Sequence, residues 1–95
     1  MAERAFYVVA YDIVADKRRA KVARALEAIG DRVQGSVFEA YLTQVELDKL
    51  LKKLGKLLNV EEDSLRAYLL CGACRTKVRT VGRAEVTPPP GLRVV

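Results

Sequence analysis

The chain has 95 residues, 51% of them hydrophobic, and its 17 basic and 12 acidic residues give a net charge of +5. This length holds one domain with a single core, and the hydrophobic fraction excludes an intrinsically disordered chain. A small basic domain is suited to binding nucleic acid, although a soluble protein that happens to be basic has the same composition. Because histidine is absent, catalysis by a histidine base and metal binding by histidine are both excluded.

The N-terminal stretch "MAERAFYVVAYDI" shows no signal peptide, since acidic residues lie on both sides of its short apolar run. No stretch of the sequence approaches the length of a transmembrane helix. We therefore expect a cytoplasmic protein without a membrane partner.

The first half of the chain predicts a strand followed by a helix. Residues 5–13, "AFYVVAYDI", are apolar at both parities, which is typical of a central strand covered on both faces. Asp16 is placed to cap the next helix, and Gly30 stands where a left-handed C-terminal cap belongs. The apolar stripe of this helix consists of Val22, Ala23, Leu26 and Ile29.

The stretch "DRVQGSVFEAYLT" predicts two further short strands, at residues 32–38 and 40–43. We expect a tight connection between them near Glu39 and Ala40.

A second helix is predicted to begin at Thr43, because Thr43 and Glu46 have the spacing of a capping box. Leucines recur at helical intervals after it, and Asn59 marks the expected end. Residues 64–71, "SLRAYLLC", then predict a fourth strand, read as apolar at both parities.

The resulting order β-α-β-β-α-β predicts an α+β, ferredoxin-like fold with both helices on one face of the sheet. Because the strands are apolar on both sides, the open face needs a cover, and a second copy of the chain in a homodimer would provide it. We assign residues 1–82 to this domain and residues 83–95 to a C-terminal extension. In the extension, Pro88–Pro90 form a stiff spacer and Leu92–Val95 a strand-like tail that is predicted to pair with the partner subunit.

Asp12 closes the first strand, and three readings of this acid stay open. It caps the turn into the helix, pairs with Arg18 or Arg19, or binds a metal ion. One carboxylate is too little for Mg²⁺, which takes one or two carboxylates with water and phosphate oxygens, but a two-fold axis would supply a second copy.

A basic set begins at the first helix: Lys17, Arg18, Arg19, Lys21 and Arg24. Phosphate binding and a solvated helix face both explain such a set.

Cys71 and Cys74 form a single C-x-x-C, which we interpret as a tight turn with two thiols, free or bridged. Structural zinc takes four ligands and each chain supplies two thiolates, so two chains could bind zinc only if the motifs meet across the dimer axis. The thioredoxin-type context of a strand feeding a helix start is not evident in the sequence.

Three segments together resemble a known family: "YVVAYDIVADKRRAKVARALEAIGDRVQGSVFEAYLT", "DSLRAYLLCGAC" and "VRTVG". They are similar to the small CRISPR-associated endonucleases, dimeric companions of the CRISPR integrase in spacer acquisition. The resemblance spans residues 6–82. Gly35 departs from it, since a larger residue is expected there.

This resemblance implies a homodimer with Mg²⁺-dependent nuclease activity on RNA or DNA, and a CRISPR integrase as partner. It implies that Asp12 is the catalytic residue and metal ligand. The rival interpretation is a non-catalytic scaffold that binds duplex DNA and bridges integrase subunits. The resemblance assigns nucleic-acid binding to Tyr11, Arg32, Ser36 and Phe38 and to the basic run Lys17, Arg18 and Arg19. Which of these three cations takes the family's basic position stays open.

Overall fold

A computed structural model of the protein describes residues 3–82 and 86–87. Seven elements follow one another there: β1 (Ala5–Asp12), α1 (Asp16–Glu27), β2 (Asp31–Gln34), β3 (Val37–Leu42), α2 (Gln44–Leu57), β4 (Ser64–Leu70) and the short α3 (Gly72–Arg75). The predicted β-α-β-β-α-β order is confirmed, and α3 is an addition that the sequence reading lacked.

The four strands form one antiparallel sheet in the order β2-β3-β1-β4. β1 is central: Val9 lies opposite Phe38 of β3 on one side and Ala67 of β4 on the other. At the end of β1, Asp12 lies opposite Ser64, the first residue of β4. The end of β1 and the start of β4 are thereby held side by side.

Both long helices cover the same face of the sheet, as predicted. Val22 and Leu26 of α1 and Leu54 of α2 are at most 1% exposed and belong to one cluster with Val9 and Phe38. This alternation of buried residues along the strands and the 3.6-residue spacing along the helices produce a single core between the two layers.

The opposite face of the sheet is partly covered by the chain itself. Phe6 is 3% exposed, with its ring 5.0 Å from that of Tyr41. The Arg75 guanidinium lies 5.6 Å from both ring centroids and donates to the Thr87 carbonyl. The expectation that a second copy is needed to cover this whole face is therefore too simple. Tyr68, by contrast, is 48% exposed on the uncovered part of the face.

The connection between β2 and β3 lies at Gly35 and Ser36, so the predicted turn near Glu39 and Ala40 was wrong. Glu39 and Ala40 lie inside β3, where Ala40 is 2% exposed and faces the helices. The apolar alternation of β3 therefore continues through the predicted break. β2 contains a register shift between Arg32 and Gln34 and ends at Gln34, before the predicted end at residue 38.

The expected caps of α1 are both corrected. Asp16 is the first helical residue, and the N-cap is Ala15, whose side chain has no capping oxygen. The Asp16 carboxylate instead accepts a hydrogen bond from Arg19 Nη1 at 2.7 Å. At the other end the C-cap is Ala28 in the right-handed helical region.

Gly30 is required for close packing and not for a left-handed conformation. Among the described residues, a positive φ occurs at Gly82 and not at Gly30. A Cβ atom on Gly30 would lie 2.6 Å from the Glu39 carbonyl oxygen and 2.9 Å from the Ala40 Cβ. The absence of a side chain thus lets the α1–β2 connection approach β3.

The predicted capping box of α2 is confirmed. The Thr43 backbone N–H donates to Glu46 Oε1 at 2.8 Å, and the Glu46 backbone N–H donates to Thr43 Oγ1 at 3.1 Å. The backbone N–H of Thr43 holds the pKa of the Glu46 carboxyl below its usual value. The helix ends at Leu57, close to the predicted stop at Asn59.

The predicted tail strand and its proline spacer lie outside the described residues. Within the part of the chain that the structure describes, no helix is long and apolar enough to cross a membrane.

Candidate nucleic-acid and metal site

Asp12 lies exposed at the end of β1, on the face of the sheet away from the helices. It lines a shallow pocket of about 290 Å³ with Ala10, Tyr11, Ser64, Arg66 and Tyr68. Within residues 3–82 and 86–87, the Asp12 carboxylate has no hydrogen bond or ion pair. Its oxygens therefore face solvent with their lone pairs available.

The hypothesis that Asp12 pairs with an arginine of α1 was wrong. Arg18 Nε donates to Asp63 Oδ2 at 2.8 Å, and its Nη2 donates to Glu62 Oε2 at 2.9 Å. Arg19 bonds to Asp16 and to the Ile13 carbonyl oxygen. Neither guanidinium group is available to Asp12, because the loop that contains Asp63 binds Arg18 and the backbone just after β1 binds Arg19.

Asp63 is the residue that organises this end of the fold. Its side chain is 0% exposed and accepts hydrogen bonds from the backbone N–H groups of Val14 at 3.0 Å and Asn59 at 2.9 Å, besides the bond from Arg18. The Arg18 guanidinium, assisted by the two N–H groups, lowers the pKa of the Asp63 carboxyl to about 2. The same contact raises the pKa of Arg18.

Sequence reasoning gave Asp63 no role. The available signal was an acid placed immediately before an apolar strand, where loop N–H groups need an acceptor.

Lys17 differs from the two arginines that follow it. It is exposed in the first turn of α1, and it forms no ion pair with any other described residue. The same holds for Lys21 and Arg24 on this helix. These three side chains keep their charge available to a phosphate.

Tyr11 and Phe38 are core residues, 6% and 0% exposed. Their rings stack at 6.2 Å, and the Tyr11 hydroxyl donates to the Gly35 carbonyl oxygen. Arg32 covers the Phe38 ring at 5.2 Å and pairs with Glu27. The two aromatic rings thus lie in the core beneath the candidate nucleic-acid site and are not exposed to a ligand.

Ser36 is exposed in the β2–β3 turn, and its carbonyl oxygen accepts the Tyr11 N–H at 3.1 Å. This bond places the turn at the same end of the sheet as the Asp12 pocket. Of the predicted nucleic-acid residues, four are exposed without a buried ion pair: Lys17, Arg19, Arg32 and Ser36.

Arg66 and Tyr68 were missed by the sequence analysis. Both lie on β4 on the same face as Asp12, with Arg66 opposite Ala10 and therefore diagonal to Asp12. Arg66 Nη1 donates to the Tyr68 hydroxyl at 3.3 Å, which raises the pKa of Arg66. The signal was the alternation of Ser64, Arg66 and Tyr68, so the reading of β4 as apolar at both parities was wrong.

The fit of a metal ion to this pocket can be judged from its donors. Among the described residues, no group of three or more Cys, Asp and Glu side chains lies close enough to hold a metal. Asp12 offers one unpartnered carboxylate, a hard oxygen donor of the kind that Mg²⁺ uses as a single protein anchor when water and phosphate complete its shell. The expectation that one carboxylate is too little is therefore too strict, because Asp12 fits Mg²⁺ as a partly hydrated ion whose other ligands are water and phosphate.

Comparisons with known proteins agree with this fold. A relative from Synechocystis sp. named "CRISPR-associated endoribonuclease Cas2 3" is 48% identical over 89 residues, which are 94% of this chain and 97% of that protein. The crystal structure of a hypothetical protein TT1823 from Thermus thermophilus superposes with a TM-score of 0.78 at 40% identity, covering 86% of this chain and 95% of that one.

A further match is a chain of a solved structure described as "Partial Cas6-RT-Cas1--Cas2 complex". Its TM-score is 0.66 at 33% identity, over 81% of this chain and 90% of that chain. The family model for CRISPR associated protein Cas2 matches residues 5–78, which include Asp12 and every residue predicted above to bind nucleic acid. The chain therefore belongs to the CRISPR associated protein Cas2 family.

Proposed function

We propose that the protein is a Mg²⁺-dependent endonuclease of CRISPR adaptation that hydrolyses phosphodiester bonds in RNA or DNA. The observation that carries this proposal is the exposed Asp12 carboxylate, which lacks a partner among the described residues and lies in a pocket beside Arg66. The name endoribonuclease, which the Synechocystis relative bears, supports the reaction class.

Three side chains of the pocket and one at the start of α1 have distinct tasks in this function. Asp12 holds the metal ion, and Mg²⁺ supplies a Lewis acid for the phosphodiester when it is bound. Arg66 binds a non-bridging phosphate oxygen, and the Tyr68 hydroxyl orients its guanidinium from one side. Lys17 attracts the phosphate backbone from the start of α1.

One chain brings one carboxylate to the site, which is few for a metal-dependent hydrolase. In a homodimer whose two-fold axis passes beside Asp12, the second subunit doubles the carboxylates. The exposed remainder of the open face, around Tyr68, is the surface available for such a contact.

The decisive experiment is the substitution Asp12→Asn, which keeps the shape of the side chain and removes its charge. We expect Mg²⁺-dependent cleavage of RNA or DNA to fall at least about a hundredfold, with nucleic-acid affinity nearly unchanged. The matched control is Asp48→Asn, which removes an exposed carboxylate on α2 and should leave cleavage intact. Equal cleavage by Asp12→Asn and the wild type would refute the assignment.

A second candidate function is a scaffold that binds duplex DNA and bridges integrase subunits. It is favoured by the similarity to a chain from the structure described as a partial complex with Cas1 and Cas2. Comparing the wild type with Asp12→Asn distinguishes the two functions. If the protein is a scaffold, both should support spacer integration equally well. An integration assay with purified integrase, run beside the nuclease assay, distinguishes them.

A further inference from the structure

Two cysteines lie where β4 passes into α3, at the end of the strand away from the Asp12 pocket. Cys71 and Cys74 are both exposed and both reduced. β4 ends at Leu70 and α3 begins at Gly72, so a strand does feed a helix start at this C-x-x-C. The sequence analysis found that context missing, and the structure corrects it.

The two thiols are placed to react with each other. Residues 72–75 form one helical turn, and the Cys74 backbone N–H donates to Cys71 Sγ at 3.3 Å. Cys71 Sγ is therefore held over the residue that carries the second thiol. Positions three apart on a helical turn share a face, so neither side chain needs a large backbone movement to reach the other.

A metal ion is a poorer explanation for the pair. Among the described residues, no third Cys, Asp or Glu side chain joins the two thiols in a group able to hold one. A structural zinc ion takes four such ligands. A disulfide, by contrast, needs only these two thiols.

The two sulfur atoms also differ in character. Hydrogen bonding from the backbone N–H of Cys74, with its side chain, lowers the pKa of the Cys71 thiol. The neighbouring Cys71 raises the pKa of the Cys74 thiol. In dithiols that exchange with disulfides, the more ionised thiol attacks first and the other then resolves the mixed disulfide, so Cys71 is the attacking thiol and Cys74 the resolving one.

We propose that Cys71 and Cys74 form a redox-active dithiol, which closes to an intramolecular disulfide by exchange with a low-molecular-weight disulfide such as oxidised glutathione. This site is separate from the Asp12 pocket, and the inference does not depend on the proposed nuclease activity.

The exchange balances in two steps. The Cys71 thiolate attacks one sulfur of the glutathione disulfide, a mixed disulfide forms at Cys71, and one glutathione thiolate leaves. Cys74 then loses its proton to water, and its thiolate attacks Cys71 Sγ and releases the second glutathione. The protein dithiol is oxidised by two electrons, and one glutathione disulfide is reduced to two thiols.

The next residue links this chemistry to the sheet. Arg75 follows Cys74 directly, and its guanidinium contacts the rings of Phe6 and Tyr41. A disulfide between Cys71 and Cys74 restrains the turn that precedes Arg75, so the Arg75 guanidinium is less free to leave the Phe6 ring in the oxidised form.

The test is mass spectrometry of the full chain in a series of reduced and oxidised glutathione mixtures. We expect the wild type to lose two hydrogen atoms without adding glutathione, and a proteolytic peptide to contain Cys71 bonded to Cys74. Cys74→Ser should trap one glutathione on Cys71. Cys71→Ser should add glutathione more slowly than Cys74→Ser, because the Cys74 backbone N–H that stabilises the Cys71 thiolate has no thiol to serve in this variant.

Both variants replace exposed side chains, and thermal unfolding of each variant is the control that it is folded. Two stable glutathione adducts on the wild type, or disulfides between chains only, would overturn the proposal. So would faster adduct formation by Cys71→Ser than by Cys74→Ser. Retention of one zinc ion by the reduced wild type with both thiols unreactive would also overturn it, in favour of a metal site.

Discussion

At the scale of single residues, Asp12 and Asp63 have the same side chain but different roles, because one is exposed and the other is buried. Asp12 is exposed and has no partner among the described residues, so its charge is available to a metal ion or a substrate. Asp63 is fully buried at its side chain and bonded to Arg18 and two backbone N–H groups. Its charge serves the fold, since a buried carboxylate must be satisfied where it lies.

Asp63 makes stability depend on pH in the acid range. Its folded-state pKa of about 2 lies below the ordinary value of 3.8, so its contribution is fully present above about pH 4. As pH falls from about 4 to about 2 the carboxyl protonates, and that contribution is lost. Urea titrations across this range should show a steeper fall in stability for the wild type than for Asp63→Asn. Parallel curves would contradict this account.

Lys17 and Arg18 are adjacent cations with opposite expected phenotypes. Lys17→Ala should reduce the salt dependence of nucleic-acid affinity by roughly one in the log–log slope and leave the melting temperature unchanged. Arg18→Ala removes the cation that faces buried Asp63, so we expect the melting temperature to fall by roughly 10 °C. Fluorescence anisotropy over a salt series and thermal unfolding measure the two effects. The reverse pattern would mean that Arg18 is the phosphate contact.

At the scale of elements, the sequence predicted best where a local signal had no competitor. α2 has a capping box and leucines at helical spacing, and its start at Thr43 is confirmed by hydrogen bonds. The β2–β3 turn and the caps of α1 were misplaced because their signals depend on tertiary contacts. Gly30 is set by its approach to β3, and Asp16 is engaged by Arg19.

The candidate site was predictable to a similar degree. Asp12 and Lys17 stood out by position, at the end of an apolar strand and the start of a helix. Asp63 did not, because its partners at Val14 and Asn59 come from loops that only the folded chain brings together. Arg66 could have been predicted from the alternation of polar residues along β4, but the strand was interpreted as apolar on both faces.

Two glycines of these elements give a matched pair of substitutions. Gly30→Ala forces a Cβ against the Glu39 carbonyl oxygen, so we expect a loss of about 1–3 kcal/mol in the free energy of unfolding. Gly55 lies in exposed α2 with no atom within 4 Å of the added Cβ. Gly55→Ala should therefore increase stability by roughly 0.5–1 kcal/mol. Urea denaturation measures both, and equal effects would show that neither site behaves as the packing indicates.

At the scale of the whole molecule, the two long helices cover one face of the sheet over β1 and β3, and the other face is covered in part. α3 and Thr87 shield Phe6 and Tyr41, whereas Tyr68 and the pocket beside it stay exposed. The molecule thus offers a limited surface, and not an entire sheet, for association with a second copy.

We predict a homodimer in solution. Multi-angle light scattering at micromolar concentration should give about twice the chain mass of 10.5 kDa. Tyr68→Asp places a charge on the exposed part of the open face and should shift the population towards the monomer. The matched control Val60→Asp changes an apolar residue that is 81% exposed in the loop before β4. A wild-type mass of one chain would exclude the dimer.

The buried carboxylate of Asp63 also bears on how the molecule opens. It bonds to an amide in each of the two crossover connections, Val14 after β1 and Asn59 after α2. Releasing either connection removes one hydrogen bond from a buried carboxylate that also holds the other connection, so opening of the two βαβ halves is coupled. Fluctuations that expose one half alone are suppressed at this end of the sheet. A nucleic acid bound to the surface around Asp12, as proposed, would therefore rest on a part of the fold that opens as one unit.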